Sequence, residues 1–200
     1  MLVGVLALQG DVREHRASLE RAGAEVIEVR TPRELEQVDG LVLPGGESTA
    51  IGKLLDTSGL RSALSTRLDA GMAAFGTCAG LIALSTHIED GRADQWSFGA
   101  LDVTVRRNGY GRQIASFETP IDVLEAGSMV GVFIRAPRIV AAGAEVRILA
   151  TVNRDGTDDP VVVRQGNVVG CCFHPELTTD VQLHQYFLKI VESTALSATA

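Results

Sequence analysis

The chain opens on an unbroken apolar run, Leu2–Leu8, of the kind that fills a strand buried on both faces. Strand and helix patterns then alternate. Asp11 and Glu14 have capping-box spacing ahead of a helical stretch through about Ala22, which Gly23 closes. Glu25–Val29 reads as a second strand. Thr31-Pro32-Arg33-Glu34 is a further capping box, with proline at the first helical position. Gly40–Leu43 is a third strand, ended by Pro44-Gly45-Gly46. Ser48 reads as the cap of a helix to about Leu55, and Arg61–Ala70 as another helix. Ala73–Gly76 is a short fourth strand, and Ala79–Leu84 is helical.

The second half has a different rhythm. Leu101–Val105, Ser116–Val123, Met129–Ile134, Val146–Val152, Pro160–Arg164 and Val168–Cys172 read as strands separated by turns, and Thr179–Glu192 as a closing helix. Alternation followed by hairpins predicts an α/β fold: a mixed, mostly parallel sheet with helices on both faces, flavodoxin-like in layout. One domain over residues 1–192 is expected, with 193–200 as a small, polar, frayed tail. Ligands bind such sheets beyond the carboxyl ends of the strands. That rule singles out Gln9–Asp11, Pro44–Ser48 and Thr77–Ala79.

Composition narrows the function classes. In 200 residues, 46% are hydrophobic and 22% charged, which excludes a disordered chain. No apolar run approaches the roughly 18 residues of a membrane span. Eighteen Lys+Arg against 25 Asp+Glu leave a net charge of −7, unlike a general nucleic-acid binder. Arg106, Arg107 and Arg112 form a small basic cluster, readable as a solvated loop or as a carboxylate site. Met1 leads straight into the first strand without a basic leader, so no signal peptide is expected. Of three cysteines, Cys171 and Cys172 are adjacent, and no pair has zinc-ligand spacing; a reducing cytoplasm is the simplest compartment.

The sharpest chemical signal is Gly76-Thr77-Cys78-Ala79-Gly80 between a short strand and an apolar helix. This is the cysteine form of the nucleophile elbow, in which glycines make room for a sharp turn that lifts the nucleophile above the sheet. The turn also sets the thiol at a helix N-terminus, which favours thiolate. A nucleophilic thiol needs a base and a group to orient it. Among His15, His87, His174 and His184, His174 is best placed, in Phe173-His174-Pro175-Glu176 just after an apolar strand. Glu176 lies within reach of its ring across a turn stiffened by Pro175. His15 and His184 fall in helical stretches and read as packing residues; His87 reads as exposed. Pro44-Gly45-Gly46-Glu47-Ser48 lets backbone N–H groups approach a ligand closely, as an oxyanion hole requires. It fits neither phosphate-binding glycine pattern.

Together these residues resemble the triad-type class I glutamine amidotransferases. More narrowly, Leu8-Gln9-Gly10-Asp11-Val12-Arg13-Glu14-His15, Leu43–Thr49, Phe75–Leu81, Arg107–Gln113, Gly131–Pro137 and Phe173–Thr178 are similar to the glutaminase subunits of pyridoxal 5′-phosphate synthase. The likeness runs from Leu2 to about Val191. It implies that Cys78, His174 and Glu176 hydrolyse L-glutamine through a γ-glutamyl thioester. It also implies an oxyanion hole from Gly46 and Ala79, with Gly46, Glu47, Ser48, Arg107, Ile134 and Arg135 against the substrate. Arg106 competes with Arg107, and Arg135 could instead be structural. The resemblance implies no metal or organic cofactor. It implies a hetero-oligomeric complex with a ring-forming synthase subunit that receives the ammonia. Gln9, Gly10, Arg13 and the first helix are candidates for that docking surface. Segment Glu89–Phe98 and the Cys171–Cys172 pair receive no role. Rival readings are the glutaminase subunit of another class I amidotransferase, a cysteine-elbow hydrolase or chaperone-like protein, and a non-catalytic regulatory module of the same fold.

Overall fold

Strands that are apolar at every position must be covered on both faces, and four short segments of this chain meet that condition. The computed structural model describes residues 1–91, 95–110, 116–154 and 156–198. Its first half runs β1 (Leu2–Leu6), α1 (Val12–Arg21), β2 (Glu25–Val29), α2 (Pro32–Leu35), β3 (Gly40–Leu43), α3 (Ser48–Thr57), α4 (Leu60–Asp69), β4 (Ala73–Thr77) and α5 (Ala79–Leu84). Then come β5 (Ser85–Ile88), β6 (Leu101–Arg106), β7 (Ser116–Val123), β8 (Gly127–Ile134), β9 (Arg138–Ala142), β10 (Arg147–Arg154), β11 (Thr157–Gln165) and β12 (Val168–Cys171). A 3-10 turn at Pro175–Leu177 precedes α6 (Gln182–Ala198).

Seven strands form the main sheet in the order β10-β11-β12-β4-β3-β1-β2. The β2–β1, β1–β3, β3–β4 and β4–β12 pairs are parallel; β12–β11 and β11–β10 are antiparallel. The expected mixed, mostly parallel sheet is therefore present. β4 lies at its centre, and every residue of β3, β4 and β12 is buried. Period-two alternation sends neighbouring β4 residues to opposite faces. Phe75 meets His184 and Phe187 of α6, with ring centroids 5.8 and 5.7 Å away. Gly76 lies instead beneath α5: a Cβ there would stand 2.6 Å from the Gly80 carbonyl. Helices thus cover both faces at the sheet's centre.

Parallel pairing brings the carboxyl ends of β1, β3, β4 and β12 to one edge, where all the expected loops gather. Two smaller sheets, β5-β6-β9 and the β7–β8 hairpin, flank that edge. The His174 N–H donates to the Val132 carbonyl of β8 at 2.8 Å, tying the hairpin to the loop after β12.

Several boundaries differ from expectation. The first strand stops at Leu6, because the chain turns after it. β5 and β9 are additions: Ser85–Ile88 and Arg138–Ala142 are short and take their pairing from β6. The closing helix continues through Ala198, so 193–198 is helix rather than tail; 199–200 lie outside the described residues. The Thr31/Glu34 capping box forms as expected, with Pro32 in the first turn. The Asp11/Glu14 box does not: Asp11 makes no side-chain cap hydrogen bond, since its carboxylate is engaged elsewhere. Ser48 is not a cap either. Glu47 holds that position, its carboxylate accepting from the Thr49 and Ala50 amides at 3.0 and 2.7 Å.

Two glycine substitutions should act in opposite directions. A Cβ on Gly80 would fall 1.9 Å from the Leu43 carbonyl oxygen, so Gly80→Ala should lower the unfolding free energy by about 1–3 kcal/mol. A Cβ on Gly52, inside α3, would have only Trp96 Nε1 nearby, at 3.9 Å, so Gly52→Ala should raise it by about 0.5–1 kcal/mol. Urea denaturation of both variants checks the pair of signs.

Candidate active site

The β4–α5 junction builds the first functional group. Cys78 sits between them at φ 49° and ψ −102°, a region an L side chain rarely occupies. Its N–H donates to the Cys171 carbonyl at 2.9 Å, and its carbonyl accepts from Ile82 N at 3.2 Å. Gly76 and Gly80 let helix and strand meet at van der Waals distance without a Cβ between them. The elbow expected from Gly-x-Cys-x-Gly is present, and its thiol opens onto a cavity of about 390 Å³.

The loop after β12 builds the second. His174 is 5% exposed, and Pro175 opens the 3-10 turn that folds Glu176 back beneath it. Nδ1 lies 2.8 Å from Glu176 Oε1, as the two-residue spacing suggested. Asp11 Oδ2 approaches the same nitrogen at 3.3 Å from the loop after β1. Burial alone would lower the His174 imidazole, but hydrogen bonding to Asp11, Cys78 and Glu176 outweighs it and pushes it up to about 12. These partners thus favour the protonated form of the ring. Burial raises the Glu176 carboxyl, against the opposing pull of His174.

Behind Glu176 lies a fully buried polar column whose histidines read in the sequence as packing. His15 Nε2 stands 3.2 Å from Glu176 Oε2 and 3.0 Å from Thr77 Oγ1; His15 Nδ1 stands 3.0 Å from His184 Nε2. Burial drives both histidines toward the neutral form, His184 down to about 3.

The opposite wall of the cavity comes from the Gly-Gly loop and the flanking sheets. Gly46, Glu47, Ser48, Ala79, Arg107, Ile134 and Arg135 line it together with Cys78 and His174. Glu176 does not; it stands behind the histidine. Gly46 has φ 153°, and the next amide, Glu47 N, donates to Gln9 Oε1 at 2.8 Å. Arg107 Nη1 donates to Gln95 Oε1 at 2.8 Å, and Gln95 Nε2 donates to Ser48 Oγ at 3.2 Å. Arg107 Nη2 lies 3.9 Å from Glu47 Oε1. Although burial opposes it, the Thr49 and Ala50 amides and Arg107 hold the Glu47 carboxyl below the usual range. Arg106 turns away to pair with Glu89 at 2.7 Å, which separates it from the site. Arg112 lies outside the described residues.

Four residues of the site carry no clear mark in the sequence. Asp11 has the spacing of a helix cap, and Gln95 lies in a segment without an expected role. Gln9 falls in a loop that the carboxyl-end rule singles out and reads individually as a docking candidate; it lines the cavity and holds the Glu47 amide. His15 reads as packing. Arg13, a docking candidate as well, is exposed on α1, away from the cavity lining. Asp11, His174 and Glu176 also place one ligand atom each within 4.8 Å of one another, a spacing that could hold a metal ion. The His174 nitrogen in that set already bonds the two carboxylates, and this accounts for the cluster.

Known proteins share this arrangement of chain. The model of the SNO glutamine amidotransferase family matches residues 5–193. A Salinispora tropica protein, "Pyridoxal 5′-phosphate synthase subunit PdxT", is 49% identical over 195 residues, covering 96% of this chain and 97% of that protein. The protein of the same name from Nocardia farcinica is 53% identical over 194 residues, covering 96% and 86%. A crystal structure described as a glutamine amidotransferase superposes with a TM-score of 0.89 at 48% identity, covering 95% of this chain and 98% of that one.

Burial separates the three thiols. Cys171 and Cys172 are 0% exposed, and burial pushes both up, whereas Cys78 faces the cavity. Iodoacetamide should therefore modify the native chain at Cys78 alone and the unfolded chain at all three cysteines, read by peptide mass spectrometry. His184 should also make folding acid-sensitive. Its folded-state value is depressed, so the unfolded chain takes up protons first, and stability is lost as pH falls from about 6.5 toward about 3. Denaturant titrations across that window should show His184→Gln with a flatter slope, the difference amounting to about 3–5 kcal/mol at the acid end.

Proposed function

This chain belongs to the SNO glutamine amidotransferase family, and we propose that it hydrolyses L-glutamine to L-glutamate and ammonia by a Cys78–His174–Glu176 triad. The observation that carries the reading is His174 itself: one buried ring that meets the elbow cysteine on one side and the Glu176 carboxylate, at 2.8 Å, on the other. Glutamine enters the cavity with its side-chain amide toward Cys78. The Cys78 sulfur attacks the amide carbon, and the developing oxyanion takes hydrogen bonds from the Ala79 and Gly46 amides. Ala79 is the first residue of α5, so its N–H has no partner within the helix. His174 gives its Nε2 proton to the leaving nitrogen, and ammonia departs. The γ-glutamyl thioester that remains is opened by water, with His174 now as base, and glutamate is released.

The far wall selects the substrate. Arg107 takes the α-carboxylate, and Glu47 the α-ammonium, which its depressed ionisation suits. Ser48, Ile134 and Arg135 close the cavity around the aliphatic stem. Gln95 holds Arg107 in place, since it bridges that guanidinium to Ser48.

Free ammonia would be lost to protonation in water, so the product needs a receiver at the cavity mouth. The curated relatives are subunits of pyridoxal 5′-phosphate synthase, and we take the receiver to be the ring-forming subunit of that enzyme. Docking uses the sheet's carboxyl edge, with Gln9 and Gly10 exposed beside the cavity. No described helix is long and apolar enough to cross a membrane. Three unpaired thiols suit a reducing cytoplasm.

Glutamate release from L-glutamine, with and without a pyridoxal 5′-phosphate synthase ring-forming subunit, tests the reading. The expected outcome is partner-stimulated release that Cys78→Ala abolishes and that His174→Ala lowers by about 10³-fold or more. Release indifferent to this partner would move the chain to another amidotransferase, and no release within a confirmed complex would overturn the enzyme.

A further inference from the structure

The triad does not end at Glu176. Its Oε1 is taken by His174, but Oε2 is buried and has no hydrogen-bond partner of good geometry among the described residues; His15 Nε2 stands 3.2 Å from it. His15 in turn meets His184, whose remaining ring nitrogen, Nδ1, has no hydrogen-bond partner among the described residues. A buried carboxylate with one bare oxygen is costly unless a donor faces it. We propose that His15 is that donor, a positioning residue whose Nε2–H holds Glu176 ionised and oriented beneath His174, with His184 fixing the tautomer.

The tautomer follows from the two ways of filling the His15–His184 hydrogen bond. If His15 Nδ1 carried the proton and donated, His15 Nε2 would turn a lone pair toward Glu176 Oε2 at 3.2 Å. His184 would then keep an N–H at Nδ1 with nothing to receive it. If His184 Nε2 donates instead, His15 Nδ1 accepts and its Nε2 carries the proton. That N–H lies between Thr77 Oγ1 and Glu176 Oε2, both acceptors. The only group left wanting is a bare acceptor on His184. The second arrangement avoids both a lone-pair clash and a buried orphan donor.

Neutrality of both rings agrees with this. Burial is the main cause, with mutual repulsion between His15 and the His184 and His174 rings behind it, and Arg21 acting on His184. The groups facing Glu176 are His174, Asp11 from the loop after β1, His15 from α1 and Cys171 from β12. Burial and Asp11 disfavour its charge, and His174 favours it; the proposed His15 donor would favour it too. Removing the His15 donor therefore shifts Glu176 toward its protonated form. An uncharged Glu176 stabilises the His174 imidazolium less, and the positive charge beside Cys78 is weakened.

Because this role for His15 rests on the triad reading, its test includes readouts that need no glutamine. The rate of Cys78 alkylation by iodoacetamide is followed against pH in the full chain for wild type, His15→Leu and His15→Gln. A Gln amide reaches the place of Nε2–H and restores the donor. His15→Leu should move the profile to higher pH by roughly one unit, a 10-fold loss of rate on the acid limb. His15→Gln should return it to within a factor of about two of wild type. In the complex with the synthase subunit, His15→Leu should lower kcat by roughly 10-fold and leave KM for glutamine nearly unchanged, because Glu176 does not line the cavity. A structural role alone would lower thermal stability without moving the pH profile. A wild-type profile in His15→Leu, or a Gln variant that behaves like Leu, overturns the proposal. Should His15→Leu not fold, histidine ring 15N shifts of the wild-type chain decide: a proton on His15 Nε2 supports it, and a proton on Nδ1 overturns it. Normal alkylation with no glutamate release would instead remove the glutaminase reading.

Discussion

The contact between Gly80 and the Leu43 carbonyl leaves no space for even one methyl group, and the geometry of the site depends on it. It locks α5 over the ends of β3 and β4 at backbone distance. With Gly76 giving way beneath the same helix, the chain must reverse within one residue, and that residue is Cys78 at φ 49°. The strain is sustained because β4 is the central strand, buried throughout and hydrogen-bonded on both sides. A residue at the end of an edge strand could relax out of such a conformation.

Electrostatics divides the site into a dry half and a wet half. On the dry side, His174, Glu176, His15 and His184 form a column running from the cavity into the space between α1, α6 and the sheet. Charge is confined to its cavity end, and neutrality is enforced at the other by burial. On the wet side, Glu47, Arg107, Gln95 and Ser48 form a solvent-facing ring of partners suited to a zwitterion. Asp11 stands between the two halves. It is partly exposed, yet it reaches the buried face of His174, so the loop after β1 reports directly on the ring.

Much of this was legible in the chain. Parallel strands advertise themselves by continuous apolar runs, and the glycine pattern around Cys78 and the Phe173–Glu176 turn are local devices whose spacing states their geometry. What escaped reading was non-local. Asp11 has the spacing of a helix cap, but a tertiary partner, His174, competes successfully for its carboxylate. Glu47 displaced Ser48 as cap because its longer side chain can fold back onto two amides. His15 and His184 have helical spacing and apolar neighbours, so nothing nearby in sequence distinguishes a packed ring from a bonded one. Gln95 acquires meaning only when β6 brings Arg107 beside it. Ser85–Ile88 and Arg138–Ala142 are strands only because β6 supplies a partner.

The position of β12 has a consequence for how the protein comes into being. β12 slots between β4 and β11, so a strand that borders Cys78 is made long after Cys78 itself. While the ribosome is still short of β12, β4 presents a bare, mostly apolar hydrogen-bonding edge, the kind that recruits foreign strands. The emerging chain also carries Cys78 without the histidine that lines the same cavity. Late synthesis of one strand therefore does two things at once: it seals the sheet against aggregation and brings His174 to Cys78, so a prematurely terminated chain is sticky and leaves the site unassembled.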